Sequence, residues 1–127
     1  MPTILPPSDP RLSQVEEHYP LDGAQATVAT ATLSGFIAQR PLRLRGLRGR
    51  IAVAGTAGTT TVEVHLNGTV ISGATASVAN TVTDPGVFSV AVDAAIAPGD
   101  AITLVVTAAA TAATGLVASA YIVRDFV

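Results

Sequence analysis

Thr61-Val62-Glu63-Val64-His65-Leu66-Asn67-Gly68-Thr69-Val70-Ile71 carries the decisive pattern. Val62, Val64 and Leu66 alternate with Glu63 and His65, so a strand here has one apolar face and one wet face. Asn67-Gly68 follows without a gap, and an apolar run resumes at once. A two-residue hairpin loop of type I′ needs positive φ at both central positions, which Asn and Gly tolerate best. The stretch therefore reads as a β-hairpin.

The same alternation recurs on both sides. Downstream, Phe88, Val90 and Val92 alternate with Ser89, Ala91 and Asp93 after the turn Thr83-Asp84-Pro85-Gly86. Ile102, Leu104 and Val106 do so after Ala97-Pro98-Gly99-Asp100. Leu116 to Val123 is a closing strand, apolar on both faces, with Tyr121 as a core or interface residue. Ala108 to Ala113 has helical propensity, but Val-rich strand and Gly115 bound it, so it reads as a hairpin loop. Upstream, Pro41 to Ala54 is the longest extended stretch. Leu42 and Leu44 fall on even positions, and Leu47, Ile51 and Val53 on odd ones. The slip at Gly46 predicts a β-bulge, or a bend that carries the strand between sheets. Gln25 to Leu33 reads as the first strand.

Seven or eight short strands, with turn signals about every ten residues and no convincing amphipathic helix, predict an all-β fold. The expected architecture is an antiparallel, jelly-roll-like β-sandwich over residues 25–127. Residues 1–24 hold five of the eight prolines, which cannot donate to a ladder, and predict an extended N-terminal arm. Arg11 against Asp9, Glu16, Glu17 and Asp22 gives the arm a net charge of −3. Ser13-Gln14-Val15-Glu16 matches a capping box and allows a short helical turn from Ser13 to His18.

With 127 residues the chain fits one domain. It is 49% hydrophobic and 13% charged, with a mean hydropathy of +0.51, which excludes a disordered or collagen-like chain. The apolar excess has to be absorbed by a core, a subunit interface, or both. Net charge is −2, with seven Arg and no Lys, so the global basicity of a nucleic-acid binder is missing. Cysteine is absent, which excludes disulfides, thiolate zinc sites and cysteine nucleophiles. Met1 to Pro7 lacks the cationic start and unbroken apolar run of a signal peptide. Ala101 to Ala113, broken by three threonines, is too short for a membrane helix. The chain reads as a soluble protein made in the cytoplasm, with no membrane partner.

No residues stand out as catalytic, cofactor-binding or metal-binding. The histidines are His18 and His65. Glu63 and His65 share a strand face about 7 Å apart, but no third ligand lies nearby in sequence, so an exposed polar face explains them. Glu16-Glu17-His18 lacks the second His of the helical zinc motif. There is no G-x-S-x-G, Walker or G-x-G-x-x-G run. A cupin-like enzyme would need a His-rich metal site. Asn67-Gly68-Thr69 is formally a glycosylation sequon, and the turn accounts for it. Trp is absent, leaving Tyr19 and Tyr121 as candidates for stacking on a sugar, which weakens carbohydrate binding.

The one asymmetry of charge is the arginine cluster. Arg40, Arg43, Arg45, Arg48 and Arg50 supply five of the seven positive charges, with no acid from residue 25 to residue 50. The alternation sends them outward, so they form a candidate partner-binding stripe for phosphate or a carboxylate-rich surface. The plain alternative is a solvated strand face whose Arg residues discourage edge aggregation. Nucleic acid fits poorly, since no aromatic residue interleaves with the cluster. The acidic arm is one available partner, within a chain or between chains.

From Phe36 to Val123 the chain resembles the small jelly-roll domains of tailed-bacteriophage virion proteins: capsid decoration (cement) proteins, head fibres and fibre tips. Two motifs carry the resemblance. One is a V-x-L-N-G hairpin, here Val64-His65-Leu66-Asn67-Gly68. The other is an x-x-G-D-x-I/L-x-L/V strand, here Ala97-Pro98-Gly99-Asp100-Ala101-Ile102-Thr103-Leu104. The resemblance implies a non-enzymatic structural protein on the outside of a virus capsid, a homotrimer partnered by the major capsid protein or another virion protein. It also implies an anchoring role for the arm, with Ile4, Leu5, Pro6, Pro7 and Leu12 as candidate anchors. The alternative it leaves open is a receptor- or carbohydrate-binding tip of a tail or head fibre. The chain departs from fibre proteins in having no long stalk before the jelly roll.

Overall fold

A computed structural model describes Tyr19 and residues 21–124. The expected turn from Ser13 to His18 and the candidate anchors Ile4, Leu5, Pro6, Pro7 and Leu12 lie outside the described residues. Eight strands follow in order: β1 (Leu21–Thr27), β2 (Ala31–Ile37), β3 (Leu42–Val53), β4 (Thr59–Leu66), β5 (Thr69–Ala79), β6 (Gly86–Ile96), β7 (Ala101–Ala108) and β8 (Thr114–Arg124). No helix occurs among the described residues. The strands form two antiparallel four-stranded sheets, ordered β1-β8-β3-β6 and β2-β7-β4-β5.

That order is a jelly roll. The chain doubles back at the β4–β5 hairpin, so β4 pairs β5, β3 pairs β6, β2 pairs β7 and β1 pairs β8. Rolling this ribbon brings β3 against β8 and β4 against β7, which completes the two sheets. The hairpin tip is the Asn67-Gly68 turn, with φ of 52° and 86° and Leu66 opposite Thr69.

The inward positions make the core. Leu44, Leu47 and Ile51 of β3 meet Val62 and Val64 of β4, Ile102 and Leu104 of β7, and Leu116 and Ile122 of β8 in one buried cluster. Each such side chain contributes about 1.5–3 kcal/mol by leaving water. Thr60 is the buried polar residue among those described, and its hydroxyl accepts the Ala110 N–H at 3.0 Å. The slip read at Gly46 is a register shift against both β6 and β8. It is a bulge within one sheet and does not carry β3 into the other. Val53, expected to face inward with Leu47 and Ile51, is exposed, and the next residue, Ala54, is buried in its place.

The N-terminal boundary moves. β1 begins at Leu21, which is buried, so the sandwich takes in residues expected to belong to the arm. The single strand expected from Gln25 to Leu33 is two strands in opposite sheets, joined through Val28, Ala29 and Thr30. No Gly or Pro marks the crossing. Instead, the Gln25 side-chain amide donates to Ala29 O at 3.0 Å and its Oε1 accepts the Ala29 N–H at 3.1 Å. The side chain thus supplies the bonds that a neighbouring strand would have made.

Candidate functional site: the outer face of the β1-β8-β3-β6 sheet

β3 lies between β8 and β6, so its arginines stand in the interior of a sheet and not along an edge. Edge protection does not account for them. The alternation points Arg45, Arg48 and Arg50 into solvent and leaves Arg43 half-buried. Arg40 precedes the strand in the β2–β3 connection, outside the stripe. The bulge at Gly46 keeps the two halves of the stripe on one face, because it restores the outward phase after the odd residue count.

Pairing register places the neighbours. Arg50 stands between Val117 of β8 and Val87 of β6, while Arg48 stands between Ser119 of β8 and Ser89 of β6. Val87 is 72% exposed and Val117 54%. Asp22 of β1 faces Ser119, whose hydroxyl donates to Asp22 Oδ1 at 2.6 Å. Tyr121, 37% exposed, continues the face along β8. Two shallow depressions cross this surface. One, of about 590 Å³, is lined by Tyr19, Asp22, Arg48, Ser119 and Tyr121 among others. The other, of about 330 Å³, lies among Arg48, Arg50, Val87, Val117 and Ser119.

Gly49 sets the floor between Arg48 and Arg50. A Cβ there would collide with the Phe88 ring and the Val117 carbonyl, so only glycine lets β8 and Phe88 close beneath the two guanidinium groups.

Charge on this face is unevenly balanced. Arg43 Nη1 pairs with Asp93 Oδ1 at 2.7 Å, and the Asp93 pKa is lowered by that hydrogen bond, by the Arg43 charge and, more weakly, by Arg45. Among the described residues, neither Arg48 nor Arg50 has an ion-pair partner. Two planar cations flanked by exposed valines and hydroxyls suit a carboxylate-bearing surface. The guanidinium groups bind carboxylates bidentately, and the valines exclude water around them.

Glu63 and His65 sit on the outer face of the other sheet, as the alternation predicts, but each side chain is only 19% exposed. His65 Nε2 lies 2.9 Å from Glu63 Oε1, and the Thr75 hydroxyl donates to Glu63 Oε2 at 3.2 Å. They form a closed polar cluster rather than an open one. Among the described residues, no group of three or more His, Asp or Glu is placed to hold a metal ion.

Sequence reading located the arginines but missed Val87, Asp22 and the interior place of β3. Those depend on which strands become neighbours, which alternation within a strand does not encode. No protein-family model matches the chain, and no curated protein matches it.

Proposed function

We propose that this protein is a non-enzymatic structural protein of a virus particle, which decorates the outside of the capsid and stabilises it. The observation that carries the reading is the Val117-Arg50-Val87 row beside Arg48, an exposed apolar and cationic surface on an interior strand. Such a face suits broad protein contact. A cement protein needs contact area on a stiff scaffold, and a closed two-sheet roll supplies the stiffness. The jelly-roll strand order agrees with the expectation drawn from the sequence resemblance.

In this reading Arg48 and Arg50 meet carboxylates of the major capsid protein. Copies associate as a homotrimer, to which the Tyr121 side of the face contributes apolar area. Three linked arms then act together, so that individually weak contacts hold the ring firmly. The arm runs up to Tyr19, whose N–H donates to Ile122 O at 3.0 Å.

Imaging of purified particles by electron cryomicroscopy tests the proposal. Three-fold density for this chain on the shell is expected. Density only at the tail tip would replace the cement reading with the receptor-binding one, and light scattering that gives a monomer would remove the trimer.

A further inference from the structure

Asn67 occupies the first central position of the β4–β5 turn, exposed, with Gly68 next in the chain and open space around it. An asparagine before glycine is the one most prone to attack on its side-chain amide by the following backbone nitrogen, since glycine leaves that nitrogen unshielded. Here the carboxamide is held away from that reaction. Its Oδ1 accepts the Ala101 N–H at 2.8 Å, and its Nδ2 donates to Asp100 Oδ1 at 3.1 Å. The Asn67 N–H also donates to Ala101 O at 2.7 Å. Asp100 is fixed in turn, because its Oδ2 accepts the Ala97 N–H at 2.9 Å. The hairpin tip is thus clamped to the β6–β7 turn through one asparagine side chain.

We propose that Asn67 is a deamidation site that Asp100 guards, so that loss of the clamp converts this turn. In the reaction the Gly68 nitrogen gives up its proton to solvent base and bonds to Asn67 Cγ. The bond from Cγ to Nδ2 breaks, and Nδ2 leaves as ammonia with a proton from solvent. The resulting succinimide adds water and opens to aspartate or isoaspartate at position 67, with no change of oxidation state. The product carboxylate stands where Nδ2 donated to Asp100. It replaces an attraction with repulsion between like charges and releases the tip. This inference is independent of the proposed role on a particle.

The test is peptide mapping by mass spectrometry of the full chain, incubated at mildly alkaline pH, with the one-dalton gain scored separately at Asn67 and Asn80. Asn80 precedes the branched Thr81 and serves as the internal control. Native protein is expected to deamidate at Asn67 at least about ten-fold more slowly than the urea-unfolded chain, since two hydrogen bonds must open first. Asp100→Ser keeps a hydroxyl for the Ala97 N–H but is too short to hold Asn67. It is expected to speed conversion at Asn67 several-fold, with Asn80 unchanged. Asp100→Asn has one acceptor oxygen where the Asn67 amide and the Ala97 N–H each use one, and is expected to convert at a rate between wild type and Asp100→Ser. Equal rates in Asp100→Ser and the wild type would overturn the proposal. So would acceleration at both asparagines, or a native rate equal to the unfolded one.

Discussion

On the outer face of the β2-β7-β4-β5 sheet, polar side chains bond to one another. Thr61 Oγ1 lies 3.2 Å from Ser77 Oγ, Glu63 holds His65 and Thr75, and the burial of Glu63 and His65 follows from this closure. On the outer face of the β1-β8-β3-β6 sheet, Arg48 and Arg50 stand among exposed valines with no such closure among the described residues. Both faces come from the same two-residue alternation, so pattern alone does not distinguish them. The difference lies in chain length and charge. Short hydroxyls and one acid–base pair can satisfy each other across neighbouring strands, about 4.8 Å apart. Arg43 reaches Asp93, but Arg48 and Arg50 have serines and valines opposite them in register and no acid. A self-satisfied face belongs to the fold, whereas two such arginines among bare valines are suited to a partner.

The comparison breaks most severely if the inward positions are misassigned. Val64→Asp buries an unpaired charge between the sheets and should cost about 3–5 kcal/mol, enough to abolish soluble expression. A soluble, folded Val64→Asp protein would reverse the facing of β4. Next in size is Gly49→Ala beneath the arginines. Its methyl meets a backbone carbonyl and an aromatic ring, and a loss of about 1–3 kcal/mol should appear as a lower urea midpoint.

A smaller contrast separates the two faces directly. Glu63→Ala strips partners from His65 and Thr75 and should destabilise by about 1 kcal/mol. Arg48→Gln combined with Arg50→Gln should change stability by no more than about 0.5 kcal/mol. If the order of these effects is inverted, the arginines belong to the fold and not to a contact surface.

The smallest effect concerns Asp93. Its pKa is lowered in the folded protein, so its contribution is present above the unfolded carboxylate value, about 3.9, and is lost as pH falls through the folded value. The stability difference between wild type and Asp93→Asn should therefore be measurable near neutral pH and vanish in acid. A difference that grows in acid would contradict the Arg43–Asp93 pairing.

Much of this fold was legible because its turns are written in residues with special backbone chemistry. Asn67-Gly68 and Ala97-Pro98-Gly99-Asp100 mark two connections, and the change of phase at Gly46 marks the bulge. The β1–β2 crossing was hidden because a glutamine side chain stands in for backbone partners there. At the candidate site the arginines were visible, but Val87 reads in sequence as one more strand valine. Only the register that sets it opposite Arg50, on a face left uncovered, makes it part of a contact surface. The Asn67–Asp100 clamp was likewise hidden, since it joins two turns more than thirty residues apart, of which only one carries the Asn-Gly signal.

The central claim is that the arginine and valine face is the surface for a partner while the threonine and glutamate face is not. Co-sedimentation with bare capsids of the proposed particle tests it on folded protein from both sides. The paired variant Arg48→Gln and Arg50→Gln should bind at least about ten-fold more weakly, and added salt should weaken the wild type in the same way. The paired variant Glu63→Gln and His65→Gln should bind as the wild type does. Equal binding by both variants, unaffected by salt, would contradict the account.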